Sequence, residues 1–441
     1  MHFAKSRPIF SSRGSLPRSG NASNFASPDR IDWFRSLRFG VLIQAGLARG
    51  QEISWGVCHT RKLPDTGNGP IPDEVWQSWP REMHLEKFNA KRWVADAKAA
   101  GMRYFVAQAK HHDGFHLWDT ALSDFKITNT PFGRDQLKEI ADACHQADMP
   151  FGIYFAQREW YRPDYCPVDP RTGKPGPTHA KYLDYLFKAV RELCTNYGKV
   201  DIFWFDAAWW GGMFNADMWD AERLTRMIRV LQPGILINNR AGLPGDFDTP
   251  EQRIGMFQND RAWESVAPLG LTTWAWSTGG TKSKGQLVRE LVSCAIGDGN
   301  LMLGVGAHWD GEMDPAQVAR LKELGDWLNV HDASIYGTRG GPWMPGIWGG
   351  STQSGHKVWL HVLNFDGETL KLPVCPRTIR DARILGSSGR VRFSQISQEA
   401  IMVVARKDQD PIDTVVELTL DGPVEGTIRD TGRQTIQATA R

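Results

Sequence analysis

Val200-Asp-Ile-Phe-Trp-Phe-Asp206, running on into Ala207-Ala-Trp-Trp210, is an apolar, aromatic-rich run that ends on a carboxylate. It is too short for a helix and reads as a buried strand. Period-two alternation puts Ile202, Trp204 and Asp206 on one face and Phe203 and Phe205 on the other, so Asp206 points where Trp204 points. An acid at a strand end also serves as a helix N-cap or a solvated loop residue. The flanking chain decides between these readings.

On both sides the pattern repeats. Apolar runs at 39–46, 104–110, 151–157 and 234–239 predict further strands, and amphipathic spacing at 91–100, 134–148, 180–197 and 220–232 predicts helices between them, several closed by glycine. After residue 240 the alternation loosens. Short strands are predicted at 254–257 and 271–276 with no helix between them, then a helix over 284–295, a strand over 300–306 and a last amphipathic helix over 315–330. Eight strand candidates with mostly helical crossovers predict an α/β fold, a (β/α)8 TIM-like barrel with irregular units over residues 31–335. A doubly wound open sheet is the alternative, and no strand-linked G-x-G-x-x-G supports it. From residue 336 onward short alternating runs separated by Gly, Asp and Pro predict a C-terminal antiparallel β-sandwich over 336–441.

The length of 441 residues suits this division, since such a barrel takes about 250. A formal net charge of +2 with 23% charged residues gives no electrostatic case for nucleic acid or a membrane surface, and no run reaches a membrane span. The expected partner is a small neutral ligand, with a homo-oligomer left open. Nineteen tryptophans supply aromatic faces suited to a hydroxylated ligand, although core packing also uses them. Six cysteines without C-x-x-C spacing argue for free thiols and against a zinc site. Residues 1–30 read as a flexible segment without the apolar core of a signal peptide, so a cytoplasmic location is expected, a processed secreted form being the alternative.

In a barrel the reactive groups stand at the C-terminal ends of the strands. Those ends carry Gln44, Lys110-His-His-Asp113, Tyr154 with nearby Trp160, Asp206 and Arg240. The long connection after the first strand offers Glu52, Trp55, Glu74, Trp76 and Trp79 as wall residues, and the loosened region adds Glu251, Asp260 and Glu264. Paired carboxylates, histidines, an arginine and aromatics without a cofactor motif fit glycoside hydrolysis, with one acid ionised and one protonated. His111 and His112 suit hydroxyl recognition, and Lys110 suits an ion pair beneath the site. The rival is a zinc hydrolase using His111, His112 and Asp206; no metal or cofactor is expected.

Lys110-His-His-Asp-Gly-Phe115, preceded by Ala100-Gly-Met-Arg-Tyr104, resembles glycoside hydrolase family 29, the retaining α-L-fucosidases. The resemblance covers most of residues 31–340 through Trp33 to Gly40, Phe151 to Tyr154, Ile202 to Asp206, Asn238-Asn-Arg240 and Gly299 to Gly306. It implies that Asp206 is the nucleophile, that His111 and His112 contact sugar hydroxyls, and that Arg240 lies by the nucleophile. It also implies Glu251 as acid/base, then Glu264, then Asp260; Gln44 and Tyr154 at strand ends and Trp55 on the long connection are further candidate substrate contacts. One departure stands out: Gln44-Ala45-Gly46 replaces the family's His-Trp-Gly, so the substrate is an α-L-fucoside or a sugar of similar configuration. A carbohydrate-binding protein on a degenerate hydrolase barrel is the non-enzymatic alternative.

Overall fold

A computed structural model describes residues 24–47, 71–165, 176–206, 215–254, 257–271, 273–396 and 399–428. Eight parallel strands form the first sheet: β1 (Phe39–Gln44), β2 (Phe105–Lys110), β3 (Phe151–Ala156), β4 (Ile202–Asp206), β5 (Leu236–Ile237), β6 (Phe247–Asp248), β7 (Ala262–Pro268) and β8 (Asn300–Gly306). Their order is β5-β4-β3-β2-β1-β8-β7-β6, and a parallel bridge from Asn238 to Phe247 joins the two ends. The barrel is therefore nearly closed, with β5 and β6 as its shortest staves.

Helices α1 (Pro28–Leu37), α2 (Ala90–Ala99), α3 (Gln136–Gln146), α4 (His179–Asn196), α5 (Ala221–Leu231), α6 (Lys284–Ile296) and α7 (Pro315–Ile335) flank it. Their starts follow local chemistry. Asn89, Asp135 and Ser283 each accept a backbone N–H of the first turn, and Ser283 with Gln286 forms a reciprocal capping box.

The period of two read in the opening stretch is realised. Leu42, Val106, Tyr154, Ile202, Trp204, Val266 and Met302 meet in one cluster inside the barrel. Phe203 and Phe205 join the larger cluster between strands and helices. Asp206 follows Trp204 to the inner face.

Two predicted strands are displaced. Residues 254 and 257 are not strand, and the sixth strand is β6; the described part of 271–276 is a loop, and the seventh strand is β7. Buried Glu264 and Ser265 break the apolar run of β7 and conceal it, whereas the aromatic density of Trp274-Ala-Trp276 imitates a strand. That loop is pinned at its base by a bridge between Gly270 and Thr281.

The remaining chain forms two antiparallel sheets. A five-stranded sheet takes the order β9 (Arg339–Gly340), β10 (Gly349–Ser354), β11 (Lys357–Val362), β16 (Thr414–Leu420), β13 (Ile379–Ile384). A three-stranded sheet runs β12 (Thr369–Pro373), β15 (Glu399–Val404), β14 (Val391–Gln395). Leu360 and Leu418 of the first share a buried core with Leu370 and Met402 of the second, the arrangement expected of a sandwich. At the end of the barrel away from Asp206, Asp298 accepts from Arg38 at 2.8 Å and from Arg339 at 2.7 Å, tying β9 to the barrel. Cys144, Cys194, Cys294 and Cys375 are buried free thiols, and none of the described helices is long and apolar enough to cross a membrane.

Candidate active site

Asp206 is the last residue of β4, and two donors from its neighbours hold it. The Tyr154 hydroxyl donates to Oδ2 at 2.6 Å and Arg240 Nη1 donates to Oδ1 at 2.9 Å. Register explains the first contact: Tyr154 pairs with Trp204 and Ala156 with Asp206, so Tyr154 lies one inward step below the carboxylate. The second depends on a short turn after β5, Asn239–Ala241, where Thr249 fixes Arg240 through Oγ1 at 3.0 Å and its carbonyl at 3.2 Å. Asn238 braces the same corner by accepting the Phe205 N–H at 3.0 Å and donating to the Phe205 carbonyl at 2.9 Å. This role of Asn238 needs the β4–β5 pairing and is not visible in the linear chain.

Arg240 also reaches Glu251, Nη2 to Oε2 at 2.9 Å. One guanidinium thus grips two carboxyl groups with separate nitrogens, as its planar fork allows. Glu251 is pinned beside the upper half of β7 by a bridge to Val266, and its side chain is 32% exposed. Burial holds its carboxyl above the usual range; Arg240 pulls it down and the Asp206 charge pushes it up.

The histidines stand on the other side of Asp206. His111 Nδ1 accepts the His112 backbone N–H at 2.8 Å, so the neutral ring carries its proton on Nε2, 3.1 Å from the Tyr154 oxygen. His112 Nε2 is 3.8 Å from Asp206 Oδ2, and both ring nitrogens of His112 are buried without a hydrogen-bond partner among the described residues. Burial, then His111 and nearby cations, hold this imidazole well below the ordinary histidine range, so it is neutral.

A pocket lined by Gln44, His111, Tyr154, Asp206, Arg240 and Glu251 opens here over an apolar floor that includes Trp204; with its open mouth it encloses about 330 Å³, and His112 stands behind its lining. Trp274, from the loop mistaken for a strand, is a further wall residue that the linear reading passed over. Its ring packs against Gly304, where an added Cβ would come within 2.8 Å of it. Of the other candidates, Glu264 lies below the cavity: it pairs with Asn300 at the start of β8, and its carboxyl meets the Tyr104 hydroxyl and the Trp204 indole. Asp260 is exposed just before β7, at the opposite end of the barrel from Asp206. Trp76 and Trp79 are buried in the hydrophobic core, and Glu74 is exposed. Glu52, Trp55, Trp209 and Trp210 lie outside the described residues.

Lys110 is the buried ion-pair partner expected beneath the site. Its Nζ is 3.0 Å from Glu159 Oε2 and 3.3 Å from the His111 carbonyl, with both side chains fully buried. Gly114 is required next to this pair: its φ is +82°, and a Cβ there would stand 1.8 Å from Glu159 Oε1. Lys110→Met strands a buried carboxylate and is expected to cost about 3–5 kcal/mol of stability. Urea denaturation reads this as a lower midpoint; a midpoint equal to wild type contradicts the buried pair.

His111, His112 and Asp206 also form a group whose candidate ligand atoms lie within 4.8 Å of one another. Their commitments fit a metal poorly. His111 uses one nitrogen on backbone and faces Tyr154 with the other, and Asp206 already carries the Arg240 cation at 2.9 Å, which repels a second positive charge.

Comparison with known proteins identifies the family. The alpha-L-fucosidase family model matches residues 19–333. An alpha-L-fucosidase of Dictyostelium discoideum is 24% identical over 394 residues, covering 81% of this chain and 83% of its own. Alpha-L-fucosidase isoenzyme 1 from Paenibacillus thiaminolyticus superposes with a TM-score of 0.76 at 33% identity, covering 89% of this chain and 99% of its own. A family 29 alpha-L-fucosidase from Bacteroides thetaiotaomicron, solved as a trapped covalent intermediate, shares the fold with a TM-score of 0.79 at 22% identity, over 92% of this chain and 100% of its own. With a barrel of this topology, a carboxylate pair on one arginine and a family match over most of its length, the chain belongs to the alpha-L-fucosidase family of glycoside hydrolases, family 29.

Proposed function

We propose that this protein is a retaining exo-glycosidase that hydrolyses α-L-fucosides by double displacement. The observation that carries the reading is the Arg240 fork, whose two terminal nitrogens hold the Asp206 carboxyl and the raised carboxyl of Glu251 side by side at one cavity. In the first step an Asp206 oxygen bonds to the anomeric carbon as the glycosidic C–O bond breaks, and Glu251 gives its proton to the departing oxygen. In the second step water attacks the same carbon, Glu251 takes the water's proton, and the bond to Asp206 breaks. His111 offers a ring nitrogen to a sugar hydroxyl, neutral His112 backs Asp206 from behind the cavity lining, and Trp204 and Trp274 present apolar surface to the ring.

Gln44 replaces a titratable group by a neutral one that both donates and accepts, so the hydroxyls above β1 are read without charge. The family match favours α-L-fucosides, and this substitution leaves room for sugars of the same ring configuration. A panel of aryl glycosides tests it: α-L-fucoside is expected to give the highest kcat/KM, and a tenfold preference for another sugar would reassign the substrate.

Glu251→Ala tests the acid/base role. Turnover of substrates with poor leaving groups is expected to fall about 10²–10⁴-fold, activated aryl fucosides much less, with azide restoring rate. Activity needs protonated Glu251 in the first step, so the wild-type rate is lost as pH rises through that raised pKa. The variant is expected to lack this basic limb. Equal losses for good and poor leaving groups would reject the assignment.

A further inference from the structure

Glu264 is a buried carboxyl inside the barrel that the displacement does not use. It is 1% exposed. Oε1 accepts the Trp204 indole N–H at 3.0 Å, and Oε2 accepts the Tyr104 hydroxyl. Trp204 in turn underlies both groups that hold Asp206. The Tyr154 ring stacks on it at 5.5 Å and 20°, and the Arg240 guanidinium carbon stands 4.7 Å from its ring centre.

An indole held by packing alone can tip about its terminal torsion, which has a broad, soft profile. A hydrogen bond at Nε1 removes that freedom, and a buried indole N–H needs an acceptor in any case. Any tilt of Trp204 moves the surface on which Tyr154 and Arg240 rest, and with it the two donors that orient Asp206. Burial pushes the Glu264 carboxyl up to about 7, against the opposing pull of Tyr104, Trp204 and Arg240. Both of its oxygens are occupied, and it does not border the cavity.

We infer that Glu264 is a positioning residue: by clamping the Trp204 indole it fixes the platform under Tyr154 and Arg240 and so aims Asp206 at the anomeric carbon. The inference rests on Asp206 acting as the nucleophile, and it gives Glu264 a role other than proton donor.

The test compares wild type, Glu264→Gln, Glu264→Leu and Trp204→Phe, using an activated and a poor-leaving-group aryl α-L-fucoside. Glu264→Leu and Trp204→Phe are expected to lower kcat about 100-fold, the scale of a small misplacement of a reacting group, with little change in KM. Glu264→Gln keeps an oxygen for the indole N–H and is expected to retain most of the rate. The loss is expected to be the same for both leaving groups and unaffected by azide. If Glu264→Leu does not fold, Trp204→Phe carries the same test, because it keeps an aromatic stack and removes the N–H.

Near-UV circular dichroism of the free proteins reads the Trp204–Tyr154 stack without substrate, and it is expected to change in Glu264→Leu and not in Glu264→Gln. Full activity in Glu264→Leu or Trp204→Phe overturns the positioning role. So does a Glu264→Gln protein that is impaired mainly on poor leaving groups and rescued by azide, since that pattern belongs to an acid/base. A wild type inactive on every fucoside would remove the proposed function, whereas the dichroism result stands or falls on the clamp alone.

Discussion

Asp206→Ala is expected to lower kcat on an aryl α-L-fucoside by at least about 10⁴-fold, the scale seen when a central catalytic group is removed. The carboxylate is the acceptor of both Tyr154 and Arg240 and faces the cavity, so its removal takes away the group those donors jointly orient. The fold is expected to survive, because Arg240 keeps Glu251 and Thr249 as partners. Azide can enter the space vacated by the carboxylate and attack the anomeric carbon from the same face. The product is then a glycosyl azide of inverted configuration, identified by NMR. Near-normal turnover in this variant would remove Asp206 from the chemistry.

Arg240→Met is the second large effect. The arginine supplies a charge-assisted hydrogen bond to Asp206 and a pull on the Glu251 carboxyl that opposes its burial. Its loss is expected to reduce kcat/KM about 10²–10³-fold, the scale for a single preorganised donor in a buried site. The sign of the pH effect follows from the forces on Glu251. Burial and the Asp206 charge raise its pKa and Arg240 lowers it, so removing Arg240 raises it further. Whatever activity remains is expected to persist to higher pH than in wild type. A basic limb that stays in place would show that Arg240 does not couple to Glu251. Arg240→Lys is expected to recover little, because an ammonium lacks the planar fork that serves two carboxyl groups at once.

The parts of the molecule that follow a simple period were legible in the chain. Ile202, Trp204 and Asp206 on one face and Phe203 and Phe205 on the other needed only the alternation of a strand, and the structure keeps that division. His111 and His112 after β2 and Arg240 after β5 followed from their places at strand ends. The region from 240 to 282 was not legible, for two opposite reasons. β7 is a buried strand interrupted by Glu264 and Ser265, whose polarity is satisfied or tolerated only inside the folded barrel. Trp274 lies in a loop whose aromatic content mimics a strand, although it serves as a wall of the cavity.

The three candidate acids illustrate the same limit. Glu251, Asp260 and Glu264 lie within a short span of chain and are chemically alike. Only the pairing of Glu251 with Val266 and of Glu264 with Asn300 separates the level of the cavity from the level of the barrel floor. Similarly, the grip of one guanidinium on two carboxyls requires the turn after β5 to meet Thr249 beyond β6, a contact made by closure of the barrel.

Incubation of the wild-type protein with 2-fluoro-fucosyl fluoride, followed by intact mass measurement and peptide mapping, tests the account most directly. The 2-fluorine slows both formation and breakdown of a glycosyl-enzyme, and the good fluoride leaving group restores the rate of formation alone, so the intermediate accumulates. The account expects one added 2-fluoro-fucosyl unit per chain, carried as an ester on Asp206, with loss of activity in step with labelling. An ester on any other residue, or turnover of fucosides with no covalent adduct formed, would contradict it.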